Sequence, residues 1–246
     1  MSSITRNGHA DLHMHTDCSD GKYSVCELLD YVARRRPKLD LIAITDHDTL
    51  DASLWALDQQ GAYPFEVVPG VEVSSREGHV LALWVMRPIP AHLSLSETCQ
   101  AIHEAGGLAV LAHPFHIEMR EARPHAWRYW RDPEVLVESG IDAIEAHNAG
   151  IVTPGSNLAA RWMALRAGLP CIGGSDAHTL NAIGSGWTRF PGHSSAALRQ
   201  ALENGQTHAK GGPWPAHAYI EFLLHALQRR EKTYSGSINS SQVSAP

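Results

Sequence analysis

His13 and His15 are the first residues whose types and spacing suggest chemistry. Two positions apart on an extended strand, their side chains leave the same face. Paired imidazoles on one face suit a divalent cation. An isolated His-x-His pair is a weak signal, and it gains weight from where the other polar residues fall. Apolar run after apolar run ends in His, Asp or Glu. ADLHMHT is followed by Asp20, LDLIAITD ends in Asp46 and is followed by His47 and Asp48, and the next apolar segment carries Glu72. His79 lies on the return segment. LAVLAHP ends in His113, IDAIEAHN in Glu145, His147 and Asn148, and PCIGGSDAH in Asp176 and His178.

The elements that must position these residues alternate. Strands are expected at 10–16, 39–46, 108–114, 141–148 and 169–178, with a strand pair over 65–85 turning at Arg-Glu-Gly. Helices are expected at 26–36, 50–61, 94–107, within 127–140, at 157–168 and at 194–205, with Ser94 or Ser96 as an N-cap. Strand–helix alternation implies parallel strands with crossover helices, and about seven strands suggest a closed or nearly closed α/β barrel. In such a barrel the C-terminal strand ends converge on one face, where catalytic residues sit. The expected organisation is one domain over 1–231 and a Ser-rich, disordered tail over 232–246.

Totals bound the function. The 246 residues, 43% hydrophobic, are enough for one large core without a structural metal. Sixteen histidines and a net charge of −6 fit a metal site and argue against a duplex-DNA binder, which needs a basic face. Cys18, Cys26, Cys99 and Cys171 form no Cys-x-x-Cys pair, which fits reduced thiols. No apolar leader or membrane-length run is visible, so a cytoplasmic location away from membranes is expected. Oligomeric state is not legible.

Seven segments together resemble the PHP (polymerase and histidinol phosphatase) superfamily: DLHMHTDCSDG (11–21), ITDHDTL (44–50), PGVEVSS (69–75), GHVLAL (78–83), LAHP (111–114), IEAHN (144–148) and GGSDAH (173–178). They occur in the family's order. The resemblance implies a distorted (β/α)7, TIM-like barrel and a site for up to three divalent cations such as zinc, manganese or iron. It implies a first cation on His13, His15, Glu72 and Asp176. A second would sit on Glu72, His79 and His113, and a third on Asp20, His47 and His178. All nine positions hold residues able to bind metal, so an active enzyme is expected rather than a degenerate module.

The activity implied is metal-dependent phosphoester hydrolysis of a small phosphorylated molecule or short oligonucleotide. A metal-dependent amidohydrolase and a non-catalytic PHP module are the alternatives. Asp48, His116 and His147 are candidate proton donors. Arg120, Arg123 and Asn148 are candidate substrate contacts, and Asp46 is expected to orient a ligand histidine. Trp127, Tyr129 and Trp130 could stack on a nucleobase, but their helical spacing favours core packing. The short stretch between His79 and His113 has room for little beyond one helix, which implies an open pocket.

Overall fold

The computed structural model describes residues 6–116 and 123–241, without the side chains of 123–124 and 230–241. Strands and helices alternate through most of the chain, as expected. β1 (Asn7–Asp11), α1 (Val25–Arg34), β2 (Leu41–Ile42), α2 (Asp51–Gln59) and β3 (Glu66–Val67) come first. β1, β2 and β3 pair in parallel. The expected strand pair follows as β4 (Gly70–Ser75) and β5 (Gly78–Leu83), antiparallel about Arg76 and Glu77. α3 (Leu95–Glu104) leads to β6 (Leu108–Leu111), which is antiparallel to β5. α4 (Arg123–Arg131) and α5 (Glu134–Glu138) precede β7 (Ala143–Asn148), and α6 (Ser156–Ala167) precedes β8 (Cys171–Gly174). β6, β7 and β8 are parallel.

Local chemistry sets the helix ends. α1 and α3 each begin with a capping box. Glu27 N–H donates to Ser24 Oγ and Ser24 N–H to the Glu27 carboxylate, and Ser94 and Glu97 repeat the arrangement. α6 ends at Gly168 in the left-handed conformation, which closes the helix and aims the chain into β8.

The strands do not close into the expected seven-stranded barrel. The described strands form two open, mixed sheets of five, β10-β9-β1-β2-β3 and β4-β5-β6-β7-β8. Two of the strands, β9 (Gly186–Pro191) and β10 (His208–Gly211), were not expected. β9 lies antiparallel to both β1 and β10. Single bridges, Met14 with Ala177 and His47 with Glu72, tie the sheets together at the end where the polar residues gather. Continuous pairing fails there for a local reason. Asp48 (φ 56°), His113 (φ 25°) and Asp176 (φ 53°) turn the backbone into the left-handed region, which breaks a ladder.

β1 also stops at Asp11, short of the His pair, so His13 and His15 sit on a segment beyond the strand. The sheets pack their inner faces together through Leu12, Leu41, Leu81, Val110 and Ile172, all fully buried. α7 (Ser195–Glu203) covers this core with Leu198 and Leu202. The final helix, α8 (Ala216–Ser241), extends into the segment expected to be a disordered tail, whose last residues, 242–246, lie outside the described residues. No helix among the described residues is long and apolar enough to cross a membrane.

Candidate metal centre

All nine expected ligands meet at the joined ends of the two sheets. Their donor atoms fall into four overlapping groups, each within 4.8 Å: His15, Asp20, His47 and His178; His13, Glu72 and His113; His13, His15 and Asp176; and His47, Glu72 and His79. The groups share members, so the ligands form one continuous cluster. His15 reaches the Asp20 group as well as Asp176.

Glu72 is the centre of it. This fully buried carboxylate faces five imidazoles. Oε2 lies 3.2 Å from His13 Nε2, 3.2 Å from His15 Nε2 and 3.3 Å from His47 Nδ1. Oε1 lies 2.8 Å from His79 Nδ1 and 2.9 Å from His113 Nε2. Only His13 and His113 are aligned for hydrogen bonds to it. His15 Nε2, His47 Nδ1 and His79 Nδ1 are buried with no hydrogen-bond partner. Orphaned nitrogens inside a fold are costly, each by about 1–3 kcal/mol. Imidazole nitrogens converging on carboxylate oxygens without hydrogen-bond geometry are what cations require, and the His/Asp/Glu set suits zinc, manganese or iron. The residues present therefore fit divalent metals.

The electrostatics agree. Burial opposes a charge on His15, yet Asp176, Glu72 and Asp20 overcome it and lift its pKa to about 10. Burial likewise opposes a charge on His13, and Glu145, Asp176 and Glu72 still drive its pKa well above the usual histidine value. In turn Glu72 and Asp176, against their own burial, are held far below the ordinary carboxylate range, chiefly by His13. Without cations, protons on the histidines balance the buried acids.

A layer of contacts behind the ligands fixes them. Glu145 Oε1 lies 2.9 Å from His13 Nδ1, and its Oε2 accepts from His113 N–H (2.9 Å) and from Asn148 Nδ2 (3.0 Å). Asn148 Nδ2 also donates to Asp176 Oδ2 at 3.0 Å. Glu145 and Asn148, ambiguous in sequence, are thus supports. Gly174 lets Glu145 and His13 come close, because a Cβ there would sit 2.5 Å from Glu145 Oε1 and 2.6 Å from His13 Cβ.

Asp46 makes no direct hydrogen bond to a histidine, and reaches His15 only through Ser19, whose Oγ lies 3.5 Å from His15 Nδ1. It accepts from Thr16 N–H (2.7 Å), Thr16 Oγ1 (2.6 Å) and Ser19 Oγ (2.5 Å), which pins the loop carrying Asp20. α8 holds that loop from outside. Glu221 Oε1 accepts from Lys22 Nζ (2.7 Å) and Tyr23 Oη (2.6 Å), and Phe222 packs edge-on to His178 with ring centres 5.0 Å apart. Trp214 Nε1 donates to Ser175 O at 2.6 Å. Sequence reasoning missed Glu221, Phe222 and Trp214, because long-range docking leaves no local pattern.

The other expected site residues separate. His116 stands beside the cluster, its ring centre 5.4 Å from that of His113. Asp48 is exposed and accepts from Ser74 N–H at 2.8 Å. His147 faces away from the ligands, against Gly186, Gly211 and Asn157, and burial lowers its pKa. Arg120 lies outside the described residues, and Arg123 begins α4 with its side chain outside them. Core packing holds for Tyr129, which is buried, but not for Trp127, which is 70% exposed.

Comparison with known proteins agrees with this architecture. A family model described as PHP-associated matches residues 154–207. The uncharacterized protein MJ1587 of Methanocaldococcus jannaschii is 34% identical over 115 residues, 43% of this chain and 67% of that protein. Among solved structures, a two-domain Bacteroides vulgatus protein containing a predicted PHP-like metal-dependent phosphoesterase superposes with a TM-score of 0.67 at 19% identity. The match covers 84% of this chain, which spans only 65% of that one. An amidohydrolase from Chromobacterium violaceum, with bound sulfate and no metal, gives 0.56 at 19% identity, covering 88% of this chain and 96% of that one. With nine metal-capable residues gathered from six of the seven motifs onto this fold, the chain belongs to the PHP superfamily.

Proposed function

We propose that the protein is a metal-dependent phosphoesterase that hydrolyses a phosphate mono- or diester at a centre of three divalent cations. The observation that carries this reading is the single buried carboxylate of Glu72 facing five imidazoles, three of them with orphaned nitrogens. His13, His15, Glu72 and Asp176 would hold one cation, Glu72, His79 and His113 a second, and Asp20, His47 and His178 the third. Such cations supply Lewis acidity, lowering the pKa of water and drawing charge from a phosphate oxygen.

The chain's own residues do the rest. Glu145 holds His13 in one ring orientation, and Asn148 holds Asp176 and Glu145 together. Departure of an alcohol needs a proton, and of the three candidate donors His116 has its ring against that of a ligand, His113. Asp48 is turned to Ser74 and His147 to the far side of its strand, so neither is favoured. Asn148 serves as a support more readily than as a substrate contact.

A centre of three cations would favour phosphate over amide, since phosphate has the most negative oxygens for cations to neutralise. The sulfate in the Chromobacterium protein is a tetrahedral anion of the same shape, and that protein's description as an amidohydrolase keeps amide hydrolysis as the second reading. The test is turnover of p-nitrophenyl phosphate and its bis-ester by protein loaded with Mn²⁺, before and after chelation. Ester turnover that requires the cation is expected. A loaded protein that cleaves N-acyl substrates but neither ester would move the assignment to amidohydrolase.

A further inference from the structure

Asp20 and His47, two of the three ligands expected for the third cation, keep 41% and 27% of their side-chain surface exposed, more than any of the other seven. Asp20 also stands on the loop between β1 and α1 instead of at the end of a strand. A ligand on a loop holds a cation only as well as the loop itself is held. Asp46 pins this loop from within, at Thr16 and Ser19. Its outer side rests on α8.

One side chain of α8 reaches both of the segments that carry Asp20 and His178. Glu221 Oε1 accepts from Lys22 Nζ at 2.7 Å and from Tyr23 Oη at 2.6 Å, both on the Asp20 loop. Glu221 Oε2 accepts from Asn181 Nδ2 at 3.3 Å, on the helical turn that follows His178. The Lys22 pair is partly exposed and contributes little by itself, whereas the short hydroxyl–carboxylate bond of Tyr23 is of the strong, charge-assisted kind. The next residue, Phe222, lies edge-on to the His178 ring at 5.0 Å, with Trp214 beside both rings. Further along the helix, Arg229 Nη1 donates to Ser19 O at 2.6 Å. The helix is seated for this: Ala218 is fully buried, and Tyr219 Oη donates to Ala149 O at 3.0 Å.

These contacts are selective. Among the described residues, Glu221 and Phe222 neither hydrogen-bond to nor stack with His13, Glu72, His79, His113 or Asp176. His13, His113 and Asp176 are supported instead by Glu145 and Asn148.

We propose that α8 is the positioning element of the third cation. Glu221 and Phe222 place Asp20 and His178, so retention of that cation depends on the helix and retention of the other two does not. Neither residue is a ligand; both act through the ligands they hold. The proposal rests on the three-cation reading above and concerns its third member alone.

The test is stepwise removal of Mn²⁺ from the loaded, full-length protein by a chromophoric chelator, with the ions per chain counted by metal analysis. Glu221→Ala should weaken one ion of the three by about 10–100-fold, the range for groups that orient metal ligands, and leave the other two as in wild type. Tyr23→Phe removes only a hydroxyl, from the loop side, and carries the test should Glu221→Ala fold poorly. It should weaken the same ion by less, and the double variant should be no worse than Glu221→Ala alone. Hydrogen exchange of the chelated proteins reads the positioning without any ion. The amides of Asp17, Gly21 and Lys22, hydrogen-bonded in or from the loop, should exchange faster in Glu221→Ala, while that of His113 should not.

Equal weakening of all three ions is what a merely structural role gives, and it overturns the proposal. Unchanged ion retention in both variants also overturns it and leaves the three-cation reading intact. A wild-type chain that holds fewer than three ions overturns that reading as well.

Discussion

The cation centre and the aromatic groove of Phe115, Trp127 and Trp130 are neighbours in the chain, since Pro114 follows His113, yet they are built on opposite principles. In the centre His13, His15, Glu72, His113 and Asp176 are buried, and a second layer of Glu145, Asn148 and Asp46 fixes the ligands or the loop that carries them. Three of its backbone positions are held in the left-handed region, a cost of about 1–3 kcal/mol each that only surrounding structure can sustain. The groove is apolar, and one wall is the exposed Trp127 on a short helix. The difference separates two tasks. Positioning charge demands rigidity, because a displaced carboxylate loses its partners. An apolar face makes no such demand and tolerates variation.

That contrast can be broken at its centre first. Glu72→Gln keeps the volume and removes the charge shared by the five imidazoles, so loss of about 10³-fold or more in ester turnover and loss of most bound metal are expected. Turnover kinetics and metal analysis on the folded variant check it. Retention of both would mean Glu72 is only a core acid.

The supporting layer should matter next. Glu145→Gln is expected to weaken cation affinity by about 10–100-fold, as outer partners of metal-bound histidines do. Competition with a chromophoric chelator measures this. An unchanged affinity would show that His13 needs no orienting partner.

Proton competition gives a third handle. Protonated His15 stabilises the metal-free fold fully below its ordinary pKa of 6.5. That contribution is lost as pH rises toward its folded value of about 10. The melting temperature of chelated protein should therefore fall between pH 6.5 and 10, while loaded protein falls less. Cation affinity should run the other way, weakening as pH drops, with protons released on binding. Parallel melting curves for the two forms would contradict the shared-site account.

The smallest effect belongs away from both regions. Ser24→Ala removes the cap of α1 and should cost about 1 kcal/mol of stability without changing cation affinity. Chemical denaturation with a parallel metal titration would show whether the centre is insulated from helix ends.

The cluster was legible because most of its residues close or follow an apolar run, as Leu108–Leu111 precedes His113, although His79 opens β5 after a polar turn. Glu145 was visible as a polar residue in a buried strand, but its partner was not, since His13 is 132 residues away. The barrel was over-read. β2 and β3 are two residues each, and left-handed turns at Asp48 and Asp176 interrupt pairing where ligands are needed. β9 left little signal in the sequence: Gly186, Thr188 and Phe190 are buried while Trp187 and Arg189 are half-buried, so burial alternates but hydrophobicity does not. Trp127 and Tyr129 are two apart on one helix, so they cannot share a face, and spacing alone did not say which of them faced the core.

The most direct test of the central claim is the metal content of protein dialysed against Mn²⁺ or Zn²⁺ and then against buffer, for wild type and Glu72→Gln side by side. The account predicts roughly three ions per wild-type chain and loss of most of them in the variant, with the fold unchanged by circular dichroism. A wild-type chain that retains no ion, or a variant that retains them all, would contradict it.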